Sequence, residues 1–356
     1  MLVKLGDLLT IKYGSDYKHL TNGNIPVIGT SGVMLYVNEY LYNKEAILLP
    51  RIGSLSNIMY INEPFWTVNT MFYAIPNSKL VNLKFLYYYL TILDLTKYDK
   101  GSVIPCMTAL FYNSLLIDLP SLELQNKIAC ILSSIDNQIE RNNLIVKKLQ
   151  VLSQSIFNKF FSNENIYVSL LDFPYIQIIK PGINKFKGYK HYIATAEVDN
   201  DKVNYNAPLI EYHTRENRAN MQPVKNSVWF AKMKNSIKHI YVSNVDNVFC
   251  SNYIFSTGFA GIKCEDIAFE YLINFINTPY FELKKNILSH GATMEGVNND
   301  DLKYIQVPLP SKEKLFEFHS TVTKIHYQIT KLNEQTYIFN NLKDKLLPLL
   351  INEQLI

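Results

Sequence analysis

Apolar side chains fall at Ile128, Leu132, Ile135, Ile139, Val146, Leu149, Leu152 and Ile156, close to the heptad spacing of one face of a long helix. A shift of 190 residues (318 − 128 = 190) lands on Phe318, Val322, Ile325, Ile329, Thr336, Phe339, Leu342 and Leu346, and only Thr336 among them is polar. The shift also superimposes "SLLIDLPSLELQ" on "YIQVPLPSKEKL": Pro120 on Pro310, Ser121 on Ser311, Glu123 on Glu313. A fixed offset without a gap marks an internal repeat. Neither Gly nor Pro interrupts residues 121–173 or 311–347, so both copies can be long helices. Ser121 with Glu123, and Ser311 with Glu313, supply the cap and first-turn acid that helix starts favour.

About 38 helical residues span roughly 57 Å, longer than a small domain is wide, so each stripe must bury itself on another helix. The expected core of the pair is Ile128, Leu132, Ile135, Ile139, Leu149 and Ile156 with Phe318, Val322, Ile325, Ile329, Phe339 and Leu346. Asn142 interrupts the first stripe where Leu332 continues the second, and a polar group there fixes register at some cost in stability. The pair either braces two domains or is a spacer holding two binding domains apart. Duplication implies a pseudo-twofold molecule with equivalent surfaces for two copies of a partner.

Ahead of each helix lies a stretch patterned as short strands and turns. "IPVIGTSGVMLYVNEY", "EAILLPRIGSLSNIMYI" and "EPFWTVNTMFYAI" read as strands in the first, followed by the helix-length "NLKFLYYYLTIL". In the second, "GYKHYIATAEVD", "SVWFAKMKNSIKHIYVSNV" and "NVFCSNYIFSTGFAGI" are strand-like, and "AFEYLINFINTP" echoes the earlier helix. Segments beside the long helices match between halves, whereas the interiors do not. That is the pattern of a binding protein with two unlike targets.

Length and composition agree. At 356 residues the chain exceeds one typical core, and 48% hydrophobic residues exclude a disordered chain. A net charge of +4 admits a polyanionic partner without demanding one. Cys106, Cys130, Cys250 and Cys264 form no C-x-x-C pair, which fits reduced thiols better than disulfides or zinc. The start "MLVKLGDLLTIKYG" lacks a signal-peptide core and no apolar run reaches about 18 residues, so a soluble, cytoplasmic protein is expected.

Catalytic motifs are missing. There is no G-x-G, no phosphate-binding G-x-x-x-x-G-K-[ST], no Pro-Pro of adenine methyltransferases and no H-E-x-x-H. Glu282-x-Lys284 and Asp301-x-Lys303 match only half of a nuclease signature. No catalytic residue and no metal ligand is assigned. Basic character is local instead: residues 174–196 and 221–240 contain no acid. There Lys185, Lys187 and Lys190 interleave with Phe186 and Tyr189, and Lys232, Lys234 and Lys238 follow. Arg215 and Arg218 flank a loop; the first half offers Lys12, Lys18, His19, Arg51, Ser54 and Ser56. Lysines meet phosphates as point charges, while arginine reads base edges in bidentate fashion. A lone lysine is more commonly a solvated face, so the scarce, loop-borne Arg51 and Arg215 stand out.

These residues together resemble a known family. "LPSLELQNKIACILSSIDNQIERNNLIVKKLQVLSQSIFNKFF" is similar to the central conserved helix, and "VPLPSKEKLFEFHSTVTKIHYQITKLNEQTYIFNNLKDKLLPLLINEQ" to the carboxy-terminal one, of specificity subunits of type I restriction-modification systems. "KLGDLLTIKYG", "IPVIGTSGV" and "GSVIP" resemble a target-recognition domain, and Ser102 of "GSVIP" is a further DNA-binding candidate. Lys312 departs from the Gln/Glu-rich start usual after the second "PLP". The resemblance implies an α+β chain: target-recognition domains at 1–120 and 163–310, a conserved helical spacer at 121–162, and a conserved helix at 311–356, with the two helices antiparallel. It implies a subunit without catalysis or cofactor of its own, each domain reading half of a bipartite site in double-stranded DNA. Two methyltransferase subunits would dock on the helices, and restriction/translocase subunits would complete the complex. S-adenosylmethionine, ATP and Mg would sit on those partners. The specificity subunit of a type IIB-like enzyme shares this layout, and a coiled-coil scaffold without DNA is the alternative from another class.

Overall fold

The computed structural model describes residues 1–93, 95, 106–291 and 295–352. In chain order the elements are β1 (Leu2–Lys4), α1 (Leu5–Leu8), β2 (Leu9–Tyr13), β3 (Asn22–Gly29), β4 (Gly32–Val37), β5 (Ala46–Pro50), β6 (Met59–Ile61), β7 (Trp66–Thr67), β8 (Met71–Pro76), α2 (Leu83–Thr91), α3 (Ala109–Ser114), β9 (Leu116–Asp118) and α4 (Leu122–Phe161). There follow β10 (Tyr167–Ser169), β11 (Ile176–Ile179), β12 (Tyr189–Ile193), β13 (Val198–Asp199), β14 (Lys202–Val203), β15 (Leu209–Glu211), β16 (Ala219–Met221), β17 (Ser227–Ala231), β18 (His239–Val242), α5 (Val248–Asn252), β19 (Tyr253–Ser256), β20 (Phe259–Cys264), α6 (Asp266–Ile276), α7 (Pro279–Leu288), β21 (Gln306–Pro308) and α8 (Lys312–Ile351). The chain divides into two compact units: Met1–Ile139 with Phe339–Ile356, and Glu140–Ile338.

In the first unit, an antiparallel sheet runs β2-β8-β5-β6 and a second runs β4-β3-β7, with β3 and β7 parallel. β1 pairs with β9 just ahead of α4. Asn82 caps α2 by accepting from the Phe85 amide, and its own amide is held by Gln125 of α4. Ile47, Leu49, Phe72, Phe85 and Leu86 form the core, joined by Ile128 and Leu132 of α4 and Leu350 and Ile351 of α8.

The second unit repeats the plan with other residues. One sheet runs β11-β20-β17-β18, the other β15-β12-β19-β16 with β12 and β19 parallel, and β10 pairs with β21 just ahead of α8. Phe157 and Phe161 of α4 close on Phe318 of α8 with ring centroids 5.9 and 5.0 Å apart. Val322, Tyr271 and Phe281 complete that core. Within this unit Asn142 meets Thr336 and Ser153 meets His326, so the two helical segments run antiparallel. Within the first unit Asp136 likewise meets Lys343 at 2.6 Å.

The helical stripe departs from the expected one at one step. Leu152 and Leu342 are 49% and 41% exposed. Continuing the 3-4 spacing from Leu149 and Phe339 reaches Ser153 and Lys343, and these hold the seam: Ser153 is 1% exposed and bonded to His326. Position on the helix outweighs polarity here, because the hydroxyl finds a partner inside the seam. Ile128, Leu132, Ile135, Phe318, Val322 and Ile329 are buried, while Ile139, Leu149, Ile156, Ile325, Phe339 and Leu346 are half-buried. α8 also continues past Pro348, where the sequence allows a stop, and the Asn352 amide still reaches the Pro348 carbonyl at 3.0 Å.

Candidate nucleic-acid interface

In the second unit, β15 runs antiparallel to β12 with Tyr189 opposite Glu211. The loop entering β12 and the loop leaving β15 therefore emerge at the same end of the sheet. The Asn184 amide donates to Gln222 Oε1, tying the entering loop to the segment after β16. The loops meet through two adjoining rings with a cation on either side. The Lys190 ammonium lies 5.3 Å from the Phe186 centroid, Phe186 stands edge-on to Tyr212 at 5.7 Å, and the Arg215 guanidinium lies 4.4 Å over Tyr212. Burial pushes the Lys190 ammonium below the ordinary lysine value. Lys185 and Lys187, both exposed, flank Phe186 in the same loop.

Arg215 is committed to its own loop. Its Nε donates to the Ala219 carbonyl at 3.2 Å and an Nη1 proton goes to the Tyr212 carbonyl. Other basic candidates fare differently. Lys234 is paired with Glu295 at 2.5 Å, and Lys238 Nζ donates to the Thr195 carbonyl at 2.7 Å. Arg218 is exposed with a half-buried Lys232 close by, and burial together with the Arg218 charge pushes the Lys232 ammonium down. His239, part of the acid-free run, belongs to the interior: 2% exposed, with Nε2 3.3 Å from Glu282. Lys285, fully buried, pairs with Glu282 at 2.7 Å, so the acid beside Lys284 serves an internal ion pair.

The first unit offers a smaller version. Arg51 follows β5 directly; its Nη1 donates to the Asn69 carbonyl at 3.0 Å and its guanidinium lies 5.4 Å over the exposed Tyr13. Tyr13 in turn packs edge-on to Phe72 at 5.0 Å. Ser54 and Ser56 are exposed, their hydroxyls 3.3 Å apart. Gly53 between Arg51 and Ser54 has φ +102°, the left-handed region that suits glycine. Lys12 and Lys18 are exposed, and His19 stands edge-on to Trp66 at 5.7 Å. Lys12 faces away from Tyr13, because successive strand residues alternate. Ser102 lies outside the described residues.

The sequence singled out both arginines but not Tyr13 and Tyr212, the rings that hold them. Tyr212 carries a faint signal, three residues before Arg215; Tyr13 is brought to Arg51 only by strand pairing.

Residues 1–150 match the family model described as type I restriction modification DNA specificity domain. The type I restriction enzyme MjaVIII specificity subunit of Methanocaldococcus jannaschii is 28% identical over 137 residues, 38% of this chain and 32% of that one. The HindI specificity subunit of Haemophilus influenzae is 31% identical over 103 residues, 27% of this chain and 22% of that one. These matches thus span a third or less of the relatives' own lengths. The crystal structure of a type I restriction-modification S subunit from M. genitalium is similar over 98% of this chain and 95% of that one, with a TM-score of 0.61 at 14% identity. At that identity the likeness shows the fold: two α/β units with long helices.

Proposed function

We propose, from the match of residues 1–150 to the model of a type I restriction modification DNA specificity domain, that the chain is the sequence-reading subunit of a type I restriction-modification complex. Each unit's loops read one half of a bipartite site in double-stranded DNA. The observation that carries this reading is the cation–ring chain Lys190–Phe186–Tyr212–Arg215, which fixes two loops at one end of a sheet. Ring-held cations lose little rotamer freedom on binding, and exposed Lys185 and Lys187 beside them suit a phosphate backbone. Arg51 over Tyr13 supports the same role for the first unit.

The chain itself contributes no chemistry on this reading. Two methyltransferase subunits dock on the conserved helices and bring S-adenosylmethionine, and restriction/translocase subunits bring ATP and Mg. The helices set the gap between half-sites, and the complex works in the cytoplasm. Mapping methylated bases in a host carrying the complete operon tests this reading. Exchange of residues 163–310 for the matching segment of another specificity subunit is expected to change one half-site and leave the other. Matching heptads inserted into α4 and α8 are expected to lengthen the tolerated gap. A site that changes in both halves, or a gap indifferent to the insertion, would refute the division of labour.

A further inference from the structure

The turn between β19 and β20 is held from both sides by backbone hydrogen bonds: the Thr257 amide donates to the Arg218 carbonyl, and the Lys232 amide to the Gly258 carbonyl, each at 2.9 Å. Lys232 is pinned again through its own carbonyl, which accepts from the Val297 amide at 2.9 Å. The two basic residues are therefore placed on either flank of one turn by rigid backbone. The Arg218 side chain lies back over that turn. A Cβ on Gly258 would stand 3.2 Å from Arg218 Nη2 and 2.9 Å from Thr195 Cγ2, so the missing side chain makes room for the guanidinium.

Neighbouring cations are already engaged: Lys234 with Glu295, and Lys238 with the Thr195 carbonyl. Arg218 and Lys232 have no carboxylate partner among the described residues. Two like charges held together, one half-buried, repel each other and favour a binding partner that carries negative charge.

We propose that Arg218 and Lys232 form a two-point grip for one backbone phosphate of bound DNA, set by the Ser256–Gly258 turn. The inference rests on the DNA-reading function above and assigns to these two residues affinity rather than sequence choice. Arg215, on the same loop, holds the loop's shape through the Tyr212 and Ala219 carbonyls, while Arg218 lies exposed over the turn.

Filter binding of the 356-residue chain, co-produced with its methyltransferase subunits, on cognate and scrambled duplexes across a salt series tests the grip. Arg218→Gln and Lys232→Gln are each expected to weaken both duplexes by the same factor. Together they should make the slope of log K against log salt shallower by about 1, since each phosphate neutralised contributes about 0.9. Arg218→Lys should keep the wild-type slope, and Lys234→Gln, which breaks a pair with Glu295, should leave it unchanged. An unaltered slope in the double variant, or a weakening confined to the cognate duplex, would overturn the grip while leaving DNA reading intact. A wild-type complex whose binding ignores salt would instead overturn DNA reading itself.

Discussion

Asn142 Nδ2 donates to Thr336 Oγ1 at 3.4 Å inside the helix pair of the second unit, with both residues buried at 5% and 8% exposure. Their repeat-equivalents, 190 residues away in either direction, are Leu332 and Val146. One layer is thus polar where its counterpart is apolar, and the duplication is broken at that level. A buried polar pair is satisfied only in one register, and its removal leaves alternatives closer in energy.

A double-mutant cycle measures this. Asn142→Leu alone is expected to destabilise by about 1–2 kcal/mol, since a hydroxyl is left without this partner in an apolar layer. Asn142→Leu with Thr336→Val should recover most of that, giving a coupling of about 1 kcal/mol in denaturant unfolding. Additive effects would show that the pair does not act as a unit.

Acid should act on two buried groups with opposite sign. Burial pushes the His326 imidazole, bonded to Ser153, down to about 4, against the pull of Glu270. Burial pushes the Asp246 carboxyl up to about 6, with Glu334 adding to it and the Phe249 and Val248 amides opposing. Below the ordinary value of 6.5 the unfolded chain protonates His326 and the folded chain does not until about 4, so stability falls as pH falls through that window. Between about 6 and 3.8 the folded chain protonates Asp246 while the unfolded chain does not, so stability rises as pH falls. Each contributes on the order of 3 kcal/mol, and the two largely cancel in the wild type. His326→Gln should therefore gain stability relative to wild type as pH falls from 6.5 towards 4, and Asp246→Asn should lose it as pH falls from 6 towards 3.8. Parallel pH dependences for all three proteins in urea unfolding would contradict these assignments.

Gly261 lies under the Trp229 ring: a Cβ there would stand 2.4 Å from Trp229 Cζ3. Trp229 is fully buried, edge-on to Phe255 at 5.1 Å, and its Nε1 donates to Ser227 Oγ at 2.7 Å, so the indole has nowhere to move. Gly261→Ala is expected to cost about 3 kcal/mol. A melting temperature within about a degree of wild type would show that the sheet accommodates the methyl.

The helices were legible in the sequence because burial there follows a simple period, and the period even corrects the apolar bias: Ser153 sits where spacing puts it, not Leu152. Of the interiors, the sequence showed a parallel plan of strands and a helix, but not the strand order. β2-β8-β5-β6 and β11-β20-β17-β18 have the same order with unrelated side chains, since strand pairing is made by backbone groups that every residue carries. Candidate site residues were legible as types only. Scarcity singled out Arg51 and Arg215, but whether a guanidinium faces a base or a carbonyl depends on partners such as Asn69 and Tyr13 that strand pairing brings in from afar.

That difference changes what substitution of the two arginines should do. Arg215 holds the Tyr212 and Ala219 carbonyls across one loop, and Arg51 holds the Asn69 carbonyl while covering Tyr13. Removing either guanidinium frees a loop whose shape sequence reading needs, whereas phosphate binding tolerates a looser loop. Arg51→Ala and Arg215→Ala are each expected to weaken cognate binding about tenfold more than scrambled binding, in competition assays with the assembled methyltransferase. Lysine at 215 should not rescue, because one ammonium cannot reproduce a planar fork that spans two carbonyls and stacks on a ring. Equal weakening on both duplexes, or full rescue by Arg215→Lys, would mean that these residues supply charge rather than loop shape.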